Sequence, residues 1–214
     1  MRNIQKFIEH TNLKPTITSG DVEKLLREAQ QNDLFGICVP PFWVKKAKRD
    51  IGKSEVKLIT VIGFPLGYQM SQTKEAETHQ AIKDGVDELD MVVNISAVKS
   101  DMMWPKIEIA KLGKIAHENN KILKVIIETA YLTEKEIVSL CKIAADAGAD
   151  YVKTSTGFAS EGAKVENIAL MRKSLPDHVG IKASGGIKTY HEAISLIDAG
   201  ADRIGTSNGP GIIR

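Results

Sequence analysis

Two lysines carry the chemistry this sequence could do. Lys153 closes the apolar run "YVK" and is followed by "TSTG", while Lys182 closes "GIK" in the next repeat of the pattern. An ε-amine attacks a carbonyl only when it is neutral, and burial or a neighbouring cation lowers its pKa toward that state. A single lysine at a strand end reads as a side chain that keeps its head in solvent. Two on neighbouring strand ends, with Asp90 at the end of another strand, read as a nucleophile, a perturbing cation and an acid for proton transfer. Alternation along a strand puts Lys124, Ile126 and Glu128 on one face, so Lys124 is a candidate for the same space. Two glycine-rich loops, "KASGGIK" over 182–188 and "GTSNGPG" over 205–211, offer backbone N–H groups to an anion, and Gly157 lies beside them. The pattern combines amine chemistry at one end of a small ligand with phosphate binding at the other.

These residues need a scaffold that brings strand ends together. Short β-branched runs at 8–11, 35–39, 57–62, 88–93, 123–127, 151–153, 180–183 and 203–205 alternate with longer amphipathic segments. Thr133 followed by Glu136 has the spacing of a capping box. Three helix-to-strand turns repeat, "KDGVDELD", "DAGADYVK" and "DAGADRIG", each with a glycine at a helix C-terminus and an Asp before the strand. Alternating strands and helices predict a parallel sheet with right-handed crossovers. Eight such units in 214 residues predict a single (β/α)8 TIM barrel spanning 1–214, preceded by a short N-terminal helix in "MRNIQKFIEH". An open doubly wound sheet is the alternative, and it lacks a G-x-G-x-x-G after its first strand. In a barrel, sites form at the C-terminal strand ends, and phosphate binds beside the last two strands.

Composition narrows the function classes. A net charge of +2, with lysines interleaved among acids, gives no electrostatic case for nucleic acid. Cys38 and Cys141 stand apart among apolar neighbours, which argues against disulfides and a cysteine-rich zinc site. The five histidines lack ligand spacing, so no metal or other cofactor is expected. Trp43 and Trp104 read as packing residues near helix starts. No run reaches the length of a membrane span, and no secretory leader is evident, so the expected location is the cytoplasm.

Taken together, "IEHTNLKP", "ICVPPFWV", "VIGFPLG", "DGVDELDMVVN", "LKVIIET", "GADYVKTSTGF", "IKASGGIKT" and "GADRIGTSNG" resemble the deoxyribose-phosphate aldolase family, in its order and along the whole chain. The resemblance implies a (β/α)8 class I aldolase that uses a lysine Schiff base and no metal. It implies Lys153 as the Schiff-base lysine, with Lys182 and Asp90 as proton donors and acceptors. Gly157, Gly185, Gly186 and Ser207 match the family's phosphate-side positions, with Lys188 and Asn208 beside them where the family often has Arg and Ser. Thr11, Lys124 and Thr154 are supporting candidates. Glu9 stands where the family usually has Asp, "YQMSQ" departs from the loop after "FPLG", and the sequence stops at Arg214 without the tyrosine-ended tail of some members. The implied reaction is reversible cleavage of 2-deoxy-D-ribose 5-phosphate to D-glyceraldehyde 3-phosphate and acetaldehyde, in deoxyribose phosphate catabolism. The expected partners are a phosphosugar and an aldehyde, and the expected assembly is a homo-oligomer, dimer or tetramer. An isomerase or epimerase on the same barrel and a catalytically silent phosphosugar-binding protein are the alternative classes.

Overall fold

The computed structural model describes residues 3–100 and 103–213. Eight parallel strands close into a barrel in chain order: β1 (Ile8–Thr11), β2 (Gly36–Val39), β3 (Lys57–Ile62), β4 (Glu88–Val92), β5 (Ile122–Ile126), β6 (Tyr151–Lys153), β7 (Gly180–Ser184) and β8 (Arg203–Thr206). β1 pairs with both β2 and β8, so no edge is left open. The expected N-terminal helix is a single 3-10 turn, Ile4–Phe7, because β1 claims the residues after it; Met1, Arg2 and Arg214 lie outside the described residues.

The helices cover the outside of the sheet and bury its outward-facing Val, Ile and Leu. They are α1 (Ser19–Gln31), α2 (Val44–Ile51), α3 (Ser71–Lys83), α4 (Ile95–Ser100), α5 (Met103–Glu118), α6 (Glu134–Asp146), α7 (Val165–Ser174), α8 (Tyr190–Asp198) and α9 (Gly209–Ile212). Among the described residues, capping boxes start three of them: Thr18 with Asp21, Thr133 with Glu136, and Thr189 with Glu192. A capping threonine contributes about 1 kcal/mol, which helps short helices hold their starting points. Trp43 packs partly buried against the core, but Trp104 is exposed, contrary to its expected packing role.

The repeated turns do a specific job at the bottom of the barrel. Asp87, Asp150 and Asp202 each precede a strand and accept a hydrogen bond from a backbone N–H of the strand before it. The donors are Leu58 at 2.9 Å, Leu123 at 2.8 Å and Ile181 at 2.8 Å. In each pair the Asp N–H also donates back to the same residue's carbonyl. The recurring Asp thus sets the register of β3 with β4, β5 with β6 and β7 with β8. Register decides which side chains face the lumen, so these turns position the residues at the far end of the strands.

Candidate active site

The lumen is split by chemistry. Cys38, Ile59 and Val61 form an apolar cluster of their own beside Leu13 and Phe64. Strands β1, β4, β5, β6 and β7 bring Glu9, Glu88, Asp90, Lys124, Lys153 and Lys182 together, all buried. Register explains the meeting: Asp90 on β4 lies beside Lys124 on β5, and Lys153 on β6 lies beside Lys182 on β7.

Asp90 is the hub. Its Oδ2 accepts from Lys153 Nζ at 2.8 Å and from Lys182 Nζ at 2.6 Å, while Oδ1 accepts from Lys124 Nζ at 2.9 Å. Lys182 also donates to Glu9 Oε2. Lys124 lies 2.5 Å from Glu88 Oε2 and 3.5 Å from Glu9 Oε1. Lys124 therefore touches three carboxylates and Lys182 two, whereas Lys153 touches one.

That inequality sorts the charges. Burial works against every one of these ions. For Lys182 the carboxylates of Asp90 and Glu9 outweigh burial and hold its pKa above the ordinary lysine value. For Lys124 burial is outweighed by Asp90, Glu9 and Glu88, which hold it well above. Asp90 loses solvation too, yet Lys124, Lys153 and Lys182 hold it well below the usual carboxylate range. For Lys153 burial prevails, aided by the Lys182 cation, and its pKa is lowered. The amine most easily made neutral is the one at the end of its strand, where the cleft reaches it. Cys38 is no rival nucleophile, because burial pushes its thiol up to about 11.

Above Lys153 opens a cleft of about 300 Å³, lined by Thr11, Gly157, Gly185, Gly186, Lys188 and Ser207 among others. No carboxylate is among its lining residues, and Lys14 and Lys188 bring positive charge to its mouth. Gly185 has φ +87°, and a Cβ on Gly162 would stand 2.1 Å from the Gly185 carbonyl oxygen, so both positions depend on glycine. Three sequence candidates lie outside the cleft wall. Asn208 does not line the cleft; its Nδ2 donates to the Lys188 carbonyl at 2.9 Å and ties the two glycine loops together. Thr154 is buried, with Oγ1 accepting from Ser184 N at 3.1 Å, and so joins β6 to β7. Lys124 lies deeper than the cleft, within the charge cluster.

Sequence reading overlooked Glu88, whose spacing of two from Asp90 puts it on the same strand face. It also overlooked Asn12, Leu13, Lys14 and Phe158 in the cleft wall. Among the described residues no group of three or more His, Cys, Asp or Glu is placed to hold a metal ion. No helix among them is long and apolar enough to cross a membrane.

Known proteins resemble this chain along most of its length. The family model for DeoC/LacD family aldolases matches residues 5–212. A deoxyribose-phosphate aldolase of Thermococcus gammatolerans is 50% identical over 214 residues, covering 99% of this chain and 95% of that protein. One of Brevibacillus brevis is 50% identical over 212 residues with the same coverage. Among solved structures, the tetrameric deoxyribose phosphate aldolase of Aeropyrum pernix superposes with a TM-score of 0.92 at 32% identity, covering 98% of this chain and 89% of that one.

Proposed function

We propose a reaction for a chain that belongs to the DeoC/LacD family of aldolases: reversible cleavage of 2-deoxy-D-ribose 5-phosphate to D-glyceraldehyde 3-phosphate and acetaldehyde, through a Schiff base on Lys153. The observation that carries it is the shared Asp90 oxygen, which holds an amine of lowered pKa beside a lysine that stays charged.

Neutral Lys153 attacks the aldehyde carbon of the open-chain sugar, and the carbinolamine loses water to give a protonated imine. This cation is an electron sink. A water ordered by Asp90 and Lys182 takes the proton of the C3 hydroxyl. The C2–C3 bond breaks, its electrons enter the imine, and glyceraldehyde 3-phosphate leaves an enamine on Lys153. Protonation at C2 and hydrolysis release acetaldehyde and restore the amine. Lys182 is suited to returning that proton, since its carboxylate neighbours keep it protonated. Gly157, Gly185, Gly186 and Ser207 would hold the phosphate with backbone and hydroxyl donors, with Lys188 at the rim. That anchor places the reacting carbon over Lys153. The same reading puts the protein in deoxyribose phosphate breakdown. A homo-oligomer is proposed on the likeness to the tetrameric relative.

The test is direct product analysis. Incubation with 2-deoxyribose 5-phosphate should yield glyceraldehyde 3-phosphate and acetaldehyde in equal amounts. An intact isomer or epimer as product, or no turnover, would overturn the reading.

A further inference from the structure

Glu128 has a geometry that the lysine chemistry does not explain. It follows β5 with φ +49°, a left-handed conformation that glutamate rarely adopts. On either side of it the chain stays paired with the segment carrying Lys153: Ile127 N donates to Lys153 O at 3.0 Å, and Thr129 N donates to Thr154 O at 2.9 Å. The residue between is turned out of the ladder. Its carboxylate is buried and, among the described residues, makes no ion pair, a placement that costs stability. What it does make is a clamp. Glu128 Oε2 accepts from Thr156 N at 3.1 Å and from the Thr156 hydroxyl. The same hydroxyl oxygen accepts from Phe158 N at 3.0 Å. Gly157, at φ +85°, is thereby held from both sides. A left-handed backbone and a buried carboxylate without an ion pair among the described residues, both converging on one cleft loop, point to a functional constraint.

We propose that Glu128 is a positioning residue for the anionic end of the substrate: through Thr156 it fixes the Thr156–Gly157–Phe158 wall of the cleft against the Gly185–Gly186 loop. Hydroxyl contacts complete the frame between the two loops, since Ser184 Oγ donates to Ser155 O at 2.6 Å. Glu128 touches neither Lys153 nor Asp90, so its effect falls on the phosphate rather than on imine formation. This inference rests on the proposed phosphosugar reaction.

The experiment compares cleavage of 2-deoxyribose 5-phosphate with that of unphosphorylated 2-deoxyribose in the parent, Glu128→Gly and Glu128→Gln. Glycine relieves the left-handed backbone while removing the carboxylate. In Glu128→Gly the preference for the phosphorylated sugar should fall about tenfold or more, mainly through KM, with no fall in thermal midpoint. Glu128→Gln can still accept from Thr156 N–H and should keep the preference within about threefold of the parent. Equal losses on both sugars in Glu128→Gly, or an unchanged preference, would overturn the inference. A parent that fails to cleave the phosphorylated sugar would instead strike the proposed function, so the two failures are distinguishable.

Discussion

Replacing Lys182 by leucine tests how the site makes a neutral amine. The two ammonium groups contact the same oxygen of Asp90 at 2.8 and 2.6 Å, which puts them roughly 5 Å apart or less. Two unit charges about 5 Å apart at an effective dielectric constant near 20 repel by about 3 kcal/mol, or about a hundredfold in an equilibrium. Lys182→Leu removes that repulsion and leaves Asp90 to Lys153 and Lys124. Both changes favour the charged form of Lys153, so its pKa should rise and imine formation should move to more alkaline pH. At neutral pH the rate of imine formation from acetaldehyde should fall by between about ten- and a hundredfold, allowing for relaxation of the site. Lys182→Arg keeps the cation but cannot give up a proton, so it should keep imine formation better than turnover. The assay is borohydride trapping of the acetaldehyde imine across pH in both variants. An unshifted profile in Lys182→Leu would refute the reasoning and leave burial alone to tune Lys153.

The other predictions are simpler. Asp90→Asn leaves three buried lysines short of a carboxylate; it should abolish measurable turnover and cost about 3–5 kcal/mol in urea unfolding. Because Asp90 is held well below its usual pKa in the folded state, its contribution is present above pH ~4 and lost as pH falls below that, so acid unfolding should be less steep in Asp90→Asn, and equal steepness would count against the ion cluster. Ser207→Asp places a like charge at the cleft and should weaken cleavage of the phosphorylated sugar far more than of deoxyribose; equal losses would move the phosphate elsewhere. Activity should survive exhaustive chelation with EDTA, and a loss restored by zinc would contradict the amine mechanism.

Much of this site was legible because its chemistry follows the strand ends. β6, at Tyr151–Lys153, and β3, at Lys57–Ile62, lie where the apolar runs predict them, and the Thr133–Glu136 capping box forms as its spacing suggests. The repeated Gly-x-Asp turns announced a βα repeat, but their hydrogen bonds to the preceding strand depend on barrel register, which no local pattern encodes. The same limit hid the size of the charge cluster. Asp90 was visible as a partner for one lysine, yet it serves three, because closing the barrel brings Lys153 on β6 and Lys182 on β7 to the β4 carboxylate beside Lys124 on β5. Glu128 and Thr156 are 28 positions apart, and their contact arises only after Glu128 leaves the strand in a left-handed turn. In the Lys-rich segment "VKKAKRDI" after Trp43, Val44, Ala47 and Ile51 at helical spacing bury one face of α2. The Asn208 side chain stands in a glycine loop and turns to the Lys188 carbonyl, a contact that no local pattern encodes.

The central claim is that Lys153 is the nucleophile, and covalent trapping tests it most directly. Reduction with borohydride in the presence of acetaldehyde, followed by peptide mass mapping, should place one ethyl group on Lys153, and the Lys153→Arg protein should carry none. An ethyl group found mainly on Lys182 or Lys124, or no adduct in a protein that still cleaves the sugar, would contradict the account.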